Sequence, residues 1–233
     1  MTTMIEKEVV CCICGEKSNH MEIGSTNSFG SADLDTRPPE MERSTIYHWI
    51  QRCPSCGYCS PDLSECGDET KEIINSKEYQ NIIESSEVPE IAASFLALSY
   101  EKEKQQEYSN SAWRAIHAAW VCDDENNLES SAKCRKQAVN LIKKAKNHGQ
   151  KIAEQAGASE AITIDLMRRS GMFQEALKLS AYMKAEDIEE IIIQVIRYEE
   201  ALIAKEDIAA HTISEALGEE WPNKLFRLKS TNS

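Results

Sequence analysis

Two copies of the motif Cys-x-x-Cys-Gly restrict what this chain can fold into more than any other feature. They are CCICG at 11–15 and CPSCG at 53–57. Two thiols on one tight turn can approach the same ion, and the glycine that follows permits a positive φ at the end of the turn. Four thiolates from two such turns match the tetrahedral coordination of Zn²⁺ in closed structural sites. The motifs therefore predict a structural zinc ion, and its ligands would be Cys11, Cys14, Cys53 and Cys56.

The interval between the motifs is longer than the short connection of a typical zinc ribbon. It contains the turn-rich run GSTNSFGSADLDTRPPE (24–40), which has no helical period and suits an inserted loop. β-type residues precede each motif, with Ile5 and Val10 before the first and STIYHWIQR (44–52) before the second. Such a small segment has little core of its own, so a structural zinc ion, worth roughly 10–16 kcal/mol, would stabilise it.

The remaining cysteines need not be ligands. Cys12 lies inside the first motif, where we expect it to point away from the ion. Cys59 and Cys66 follow the second motif, and either could replace Cys11 as a ligand, although buried packing is the favoured interpretation because free cysteine is usually buried. The last two cysteines lie on apolar helix faces and are expected in the core: Cys122 and Cys134.

Other site chemistries fit the motifs less well. A thioredoxin-like redox site places its cysteines at the start of a helix within a βαβ unit, whereas CPSC follows a β-type stretch and repeats an upstream motif. Four thiolate ligands would leave no open position for a catalytic zinc ion. His20 and His48 are possible ligands, but a four-cysteine site needs neither. The sequence contains no P-loop, G-x-S-x-G or H-E-x-x-H motif.

Charge and composition exclude several classes of protein. The net charge of −13 over 233 residues argues against a general nucleic-acid binder and against attraction to an anionic membrane surface. The acidic start is unlike a signal peptide, and no window has the ~18 apolar residues of a spanning helix. We therefore expect a cytoplasmic protein. Its nine cysteines favour metal binding over a disulfide framework, because that compartment keeps thiols reduced.

The pattern changes to helix after about residue 70, and strands are hard to find beyond it. The predicted domains are a zinc-ribbon-like module with an inserted loop at 1–68, an all-α domain at 69–218 and a flexible tail at 219–233. Ser159 is a candidate N-cap, and Gly171 is placed to end a helix. The predicted helical stretches are 88–104, 111–122, 129–156, 159–187 as two helices, and 186–217 with a break near 205–207.

Two helical stretches resemble tetratricopeptide repeats, in which small residues let paired helices cross closely. The first carries Ala97, Tyr100, Ala112, Ile116 and Ala119 at the corresponding positions. The second, LMRRSGMFQEALKLSAYM (166–183), carries Leu166, Gly171, Phe173, Ala176 and Met183. An irregular helical bundle would give similar signals, so that alternative stays open. The overall prediction is a mainly α protein with a small N-terminal β module and a tetratricopeptide-like helical domain.

The first ninety residues resemble the bacterial family known as domain of unknown function 2225. The likeness lies in CxxCG near the N-terminus, then DLDTRPPE (33–40), CPSCGYC (53–59) and KEIINSKEYQNII (71–83). The resemblance implies a zinc-ribbon-type module followed by tetratricopeptide-like helices, with the same four cysteines as ligands. It implies no activity. Within the shared loop, the charged residues could form a functional surface or simply turns with local ion pairs: Asp33, Asp35 and Arg37.

Three functions remain to be compared. The favoured hypothesis is a non-enzymatic interaction or scaffold protein whose helices bind a partner protein of basic character, because stacked helix pairs create extended surfaces. The second is an enzyme, either a thiol oxidoreductase or a hydrolase that uses the long loop. The third is nucleic-acid binding through the zinc module, which is disfavoured because residues 1–66 contain five Lys and Arg against ten Asp and Glu.

Overall fold

The computed structural model describes residues 2–183 and 188–218. It is mainly α-helical with a small β module near the N-terminus, as the sequence predicts. The chain forms two compact units. The first consists of the described parts of Met1–Thr26 and Ser44–Ile152, and the second of those of Asn27–Arg43 and Ala153–Ser233. The predicted tail, 219–233, lies outside the described residues.

The β module contains two short antiparallel pairs. Strand β1 (Thr3–Val10) pairs with β2 (Lys17–Ser25), and β3 (Gln51–Arg52) pairs with β4 (Cys59–Ser60). Each pair is joined by one of the two cysteine motifs. The motifs therefore sit at the ends of two β-hairpins.

The stretch before the second motif is not the strand that its alternating side chains indicate. A 3₁₀ helix occupies Arg43–His48, and only Gln51–Arg52 are extended. Trp49 Nε1 donates a hydrogen bond to Thr45 Oγ1 at 2.8 Å. This contact between residues four apart fits a helical turn, whereas a strand would carry the two side chains far apart.

Five helices complete the first unit: α1 (Thr70–Ile74), α2 (Lys77–Ile83), α3 (Glu90–Lys104), α4 (Tyr108–Asp124) and α5 (Leu128–Asn147). Small residues allow α3 and α4 to approach closely, since Ala97 and Ala112 are fully buried. At the same interface the Ser111 hydroxyl donates to the Ser99 carbonyl at 2.7 Å, and the Ser99 hydroxyl donates to the Ser111 carbonyl at 2.8 Å. Backbones can come this near only where side chains are small.

Helix α5 is shorter than its apolar pattern predicts, because it ends at Asn147 rather than continuing to residue 156. Gly149 has φ +70°, a left-handed conformation that terminates helices. The Gln150 N–H then donates to the Ala145 carbonyl at 2.8 Å, so the end of the helix is closed by a backbone bond. The apolar residue Ile152 lies beyond this turn and is still buried.

The second unit contains α6 (Ala158–Arg169), α7 (Phe173–Tyr182), α8 (Glu190–Ile203) and α9 (Ile213–Ala216). Gly171 follows α6 with φ +76°, as predicted. Ser159 is not the N-cap, because Gly157 takes that position. The Ser159 hydroxyl instead bonds with the backbone of Ala153. The break predicted near 205–207 is present, since α8 ends at Ile203.

The inserted loop belongs to this second unit. The Leu34 N–H donates to the His211 carbonyl, and the Ile213 N–H donates to the Ala32 carbonyl, both at 2.9 Å. Asp33 and Thr212 form an antiparallel bridge. The loop is thus fixed by backbone bonds to a segment almost 180 residues further along the chain. Within the described ranges, no helix combines the length and the apolar character that crossing a membrane requires.

Candidate metal centre

The first cysteine motif forms a tight turn between β1 and β2. The Cys11 N–H donates to the Glu16 carbonyl at 2.8 Å, and the Gly15 N–H donates back to the Cys11 carbonyl at 2.8 Å. Gly15 has φ +75°, a left-handed conformation in which a residue with a side chain would be strained. These two bonds direct the thiols of Cys11 and Cys14 to the same side of the turn.

The second motif repeats this geometry between β3 and β4. The Cys53 N–H donates to the Tyr58 carbonyl at 2.8 Å, and the Gly57 N–H donates to the Cys53 carbonyl at 3.0 Å. Gly57 has φ +73°, within a few degrees of its counterpart in the first motif. Equal sequence spacing therefore produces equal turns, which we call the first knuckle (11–15) and the second knuckle (53–57).

The two knuckles bring their four sulfur atoms together. Cys11 Sγ lies 3.7 Å from Cys56 Sγ, and Cys14 Sγ lies 3.5 Å from Cys53 Sγ. All four atoms lie within 4.8 Å of one another. Zn–S bonds of about 2.3 Å in a tetrahedron place the sulfurs roughly 3.8 Å apart, so the cluster has the size of a four-thiolate metal site. The four cysteines could hold a metal ion.

Burial and charge show why an ion would be favourable at this point. Cys11 and Cys53 are each about 1% exposed. Burial raises the pKa of Cys11 and of Cys56, because a buried thiolate lacks solvent. The pKa of Cys14 is lowered to about 7, chiefly by the backbone N–H of Glu16. Four thiolates this close would repel one another, whereas a divalent cation lets all of them ionise.

A tyrosine of helix α2 holds the second knuckle and the strand that follows it through hydrogen bonds to their backbone. The fully buried Tyr79 hydroxyl donates to the Gly57 carbonyl at 3.2 Å and accepts from the Cys59 N–H at 3.0 Å. Tyr58 donates to the Glu65 carbonyl at 2.8 Å, which holds the segment that follows β4. The ligand-bearing turn is therefore anchored to helical structure as well as to its own hairpin.

The structure separates the remaining cysteines by environment. Cys59 is fully buried outside the cluster, in agreement with the packing interpretation, and this burial raises its pKa to about 11. Cys122 and Cys134 are buried between α4 and α5. Cys12 points away from the cluster, but it is not a mere bystander.

Cys12 forms a disulfide with Cys66, with Cα atoms 6.1 Å apart. The expectation that Cys66 packs as a free buried thiol was wrong, because both partners are exposed. Their proximity comes from tertiary structure: the Cys12 N–H donates to the Leu63 carbonyl at 2.9 Å. The sequence gives only a weak signal for the pair. Setting aside the two Cys-x-x-Cys-Gly sets and the apolar helix faces leaves Cys12, Cys59 and Cys66, and nothing in the sequence separates Cys59 from the other two.

The other candidate residues lie elsewhere. His48 is exposed, and His20 contacts Ser18, with Nε2 and Oγ 2.8 Å apart. Within the described part of the chain, only the four knuckle cysteines form a cluster of metal-ligand type.

The charged residues of the shared loop form ion pairs inside the second unit. Asp35 is fully buried and pairs with Arg169 Nη1 at 3.1 Å, and Asp33 pairs with Arg43 at 2.5 Å. Arg37 is also buried, and its backbone N–H donates to Asp35 Oδ1 at 3.2 Å. The geometry favours the interpretation of these residues as structural, with local turns and ion pairs, over an exposed functional surface.

The comparison with protein families agrees with the motifs. A family model described as "Uncharacterized protein conserved in bacteria (DUF2225)" matches residues 4–203, which include both knuckles and α1 to α8. No curated protein and no solved structure matches the chain.

Proposed function

The chain belongs to the bacterial DUF2225 family, and we propose that it is a zinc-binding interaction protein of the cytoplasm. The observation that carries the metal assignment is the approach of four sulfurs from two equivalent knuckles to within 4.8 Å. Thiolate ligands in a tetrahedral arrangement suit Zn²⁺. The four free thiols of the cluster favour a compartment that keeps cysteine reduced, and the one disulfide among the described residues, Cys12–Cys66, is exposed and so can be reduced there.

The proposed zinc ion has a structural role. Four protein thiolates fill the tetrahedron and leave no position for water or a substrate. The ion would join the β1–β2 hairpin to the β3–β4 hairpin. A two-stranded hairpin is marginally stable by itself, and β3 and β4 have only two residues each. Cys11, Cys14, Cys53 and Cys56 are the residues that would hold it.

The helices supply the proposed binding surface for a partner protein. In the first unit, α3, α4 and α5 pack in sequence with short connections. Ala97, Ala112 and Ala119, the small residues that resemble the tetratricopeptide pattern in the sequence, are buried, which supports the proposal. In the second unit, Gly171 and the buried Ala176 match the same pattern. Stacked helix pairs present extended surfaces to other proteins. The net charge of −13 favours a basic partner.

Elemental analysis of the protein purified under reducing conditions tests the metal. We expect one zinc per chain, and we expect the Cys56→Ser variant to lose it. The matched control is Cys59→Ala, three residues away on the same hairpin, which should keep the metal because Cys59 lies outside the cluster. A folded wild-type protein without metal, or equal zinc content in both variants, would contradict the assignment.

The partner is tested separately with the zinc-loaded protein as bait. Proteins captured from native cells should be enriched over those captured by an unrelated acidic protein of similar charge. Direct binding of a captured protein, remeasured at rising salt, should weaken if charge complementarity contributes. If no protein exceeds the acidic control, the interaction role is wrong even when zinc is present.

A further inference from the structure

The exposed disulfide forms a second link between parts of the chain that the knuckles already bring together. The four-sulfur cluster joins residues 11–14 to residues 53–56. The disulfide joins Cys12, inside the first knuckle, to Cys66, nine residues beyond the end of the second. Both links therefore restrain the same two segments. When either one is present, the chain has already lost most of the freedom that closing the other would cost.

Hydrogen bonds keep the two cysteines close without the disulfide. The Cys12 N–H donates to the Leu63 carbonyl, and the Leu63 N–H donates to Gln51 Oε1 at 3.2 Å. Two residues after Leu63, the Glu65 carbonyl accepts from the Tyr58 hydroxyl at 2.8 Å. These bonds hold the segment 63–66 against the second hairpin. The two thiols would thus stay near each other after reduction, and the disulfide could form again.

Both sulfurs belong to exposed residues, which thiol–disulfide exchange requires. Cys66 also lines an open cavity of about 730 Å³ in the first unit, with Gly67, Asp68 and Glu101 along its wall. A small dithiol can enter a space of that size. The buried thiols outside the four-sulfur cluster have no such access: Cys59, Cys122 and Cys134.

We propose that Cys12 and Cys66 are a reversible dithiol–disulfide site whose oxidation tightens zinc binding by the knuckles. The proposal rests on zinc binding as proposed above. In the reducing direction, a dithiol supplies two electrons and two protons: the Cys12–Cys66 bond breaks, two cysteine thiols form, and the reductant leaves as its own disulfide. The reverse exchange with an oxidised dithiol closes the bond again.

The coupling has a predicted direction and must be reciprocal. In the oxidised protein the knuckles are already held together, so binding zinc costs less ordering, and we expect an affinity about tenfold higher than in the reduced protein. By linkage, zinc must favour the disulfide over the dithiol by the same factor. If oxidation changes zinc affinity and zinc changes the disulfide equilibrium by the same factor, the two sites are coupled. A disulfide that is only close to the zinc site would leave both quantities unchanged.

The test uses the full chain with Zn²⁺ as the probe. Zinc affinity is measured by competition with a chromophoric chelator, for wild type and the variant Cys66→Ser equilibrated in oxidised or reduced dithiothreitol and then freed of it, because the reduced dithiol itself binds zinc. We expect the oxidised protein to bind about tenfold more tightly than the reduced protein, and Cys66→Ser to match the reduced protein under both conditions. Cys122→Ala, which keeps the pair, should respond to redox as wild type does. Equal affinities for oxidised and reduced wild type would overturn the proposal.

A second measurement separates this proposal from zinc binding itself. Alkylation and mass spectrometry across a series of dithiothreitol redox buffers report the labelling of Cys12 and Cys66. The two should become labelled together, at a midpoint that zinc shifts by the same factor. If the two cysteines react independently, the redox site is wrong and the zinc site stands. If neither state binds zinc, the function proposed above fails, whereas joint labelling would still identify a redox pair.

Discussion

The hydroxyl of Tyr79 accepts a hydrogen bond from the backbone N–H of Cys59 at 3.0 Å, which ties α2 to the strand that follows the second knuckle. The same hydroxyl donates to the Gly57 carbonyl at 3.2 Å. One buried atom therefore satisfies two backbone groups of the ligand-bearing hairpin. Because the strands of that hairpin have only two residues each, side-chain bonds of this kind must supply part of its order.

The variant Tyr79→Phe should destabilise the zinc-loaded protein by about 1–3 kcal/mol, because it leaves the buried Cys59 N–H and Gly57 carbonyl without their partner. Urea unfolding monitored by circular dichroism measures this loss. The matched control is Tyr182→Phe, since Tyr182 is 82% exposed. A loss in Tyr79→Phe no larger than in the control would show that the hydroxyl does not support the knuckle.

The two knuckle glycines, Gly15 and Gly57, give a second prediction, because both have a positive φ and both have room for a Cβ. A substitution there tests the backbone conformation and not the available space. A Cβ at Gly15 would meet no described atom within 4 Å, and one at Gly57 would meet only Ile83 Cγ2 at 3.5 Å, an ordinary contact. Alanine at either position would therefore add backbone strain of about 1–2 kcal/mol without a clash. We expect zinc affinity to fall roughly tenfold in each variant.

Gly149 is the control for these variants. It has φ +70°, and a Cβ there would also meet no described atom within 4 Å. Gly149→Ala should lose a similar amount of stability, but it lies after α5 and should bind zinc as wild type does. If all three alanine variants bound zinc equally, the left-handed turns would not be what positions the thiols.

The features that the sequence predicts correctly are local. A Cys-x-x-Cys-Gly motif determines its own turn through bonds four or five residues apart, so the knuckles and the sulfurs on them follow from spacing alone. Gly171 likewise ends α6 through a local property, its left-handed backbone conformation. The long helices α3, α4 and α5 were predictable because their apolar residues recur at the helical period over three or more turns.

The features that the sequence leaves undetermined depend on contacts between distant residues. The pairing of Cys12 with Cys66 spans 54 residues, and it follows from the fold around Leu63 rather than from either cysteine's neighbours. The ion pair of Asp35 with Arg169 joins residues 134 apart. Nothing in the composition of a turn-rich loop identifies the helix that it will bind.

Arg168 lies at the centre of a buried charge cluster in the second unit. Its guanidinium donates to Glu199 Oε2 and Asp165 Oδ1, both at 2.6 Å, and to the carbonyls of Asp207 and Ala209 at 2.7 and 2.9 Å. Arg168 and Glu199 are fully buried. One side chain thus links α6, α8 and the turn that follows α8.

Arg168→Met should destabilise the protein by about 3–5 kcal/mol, because it strands two buried carboxylates. Adding Glu199→Gln removes one of those charges and should recover part of the loss. Arg197→Met, on the exposed face of α8, is the control and should change the unfolding free energy by less than about 0.5 kcal/mol. Thermal unfolding of the four proteins measures the series. A double variant less stable than Arg168→Met would show that the carboxylate charge is not the source of the loss.

His117 on α4 is surrounded by aromatic rings, with the centroids of Trp120, Trp49 and Phe95 at 5.0, 5.3 and 5.3 Å. Among the described residues its buried Nδ1 has no hydrogen-bond partner. Burial, with a smaller contribution from the nearby Arg114, lowers the pKa of His117 to about 3. The ring is therefore neutral in the folded protein at pH values where the unfolded chain, with a histidine pKa of about 6.5, binds a proton.

The lowered pKa of His117 makes stability depend on pH in a defined direction. Above pH 6.5 neither the folded nor the unfolded state binds a proton at His117, and the protein has its full stability with respect to this group. As the pH falls from about 6.5 towards 3, only the unfolded state gains the proton. Stability should then fall by up to about 1.4 kcal/mol per pH unit. His117→Phe keeps an aromatic ring but cannot titrate, so its unfolding free energy should fall less steeply from pH 6.5 to 5. Acid loss of zinc affects both proteins, and the difference between their slopes removes it. Equal slopes for wild type and His117→Phe would show that the enclosed ring takes up its proton without unfolding the protein.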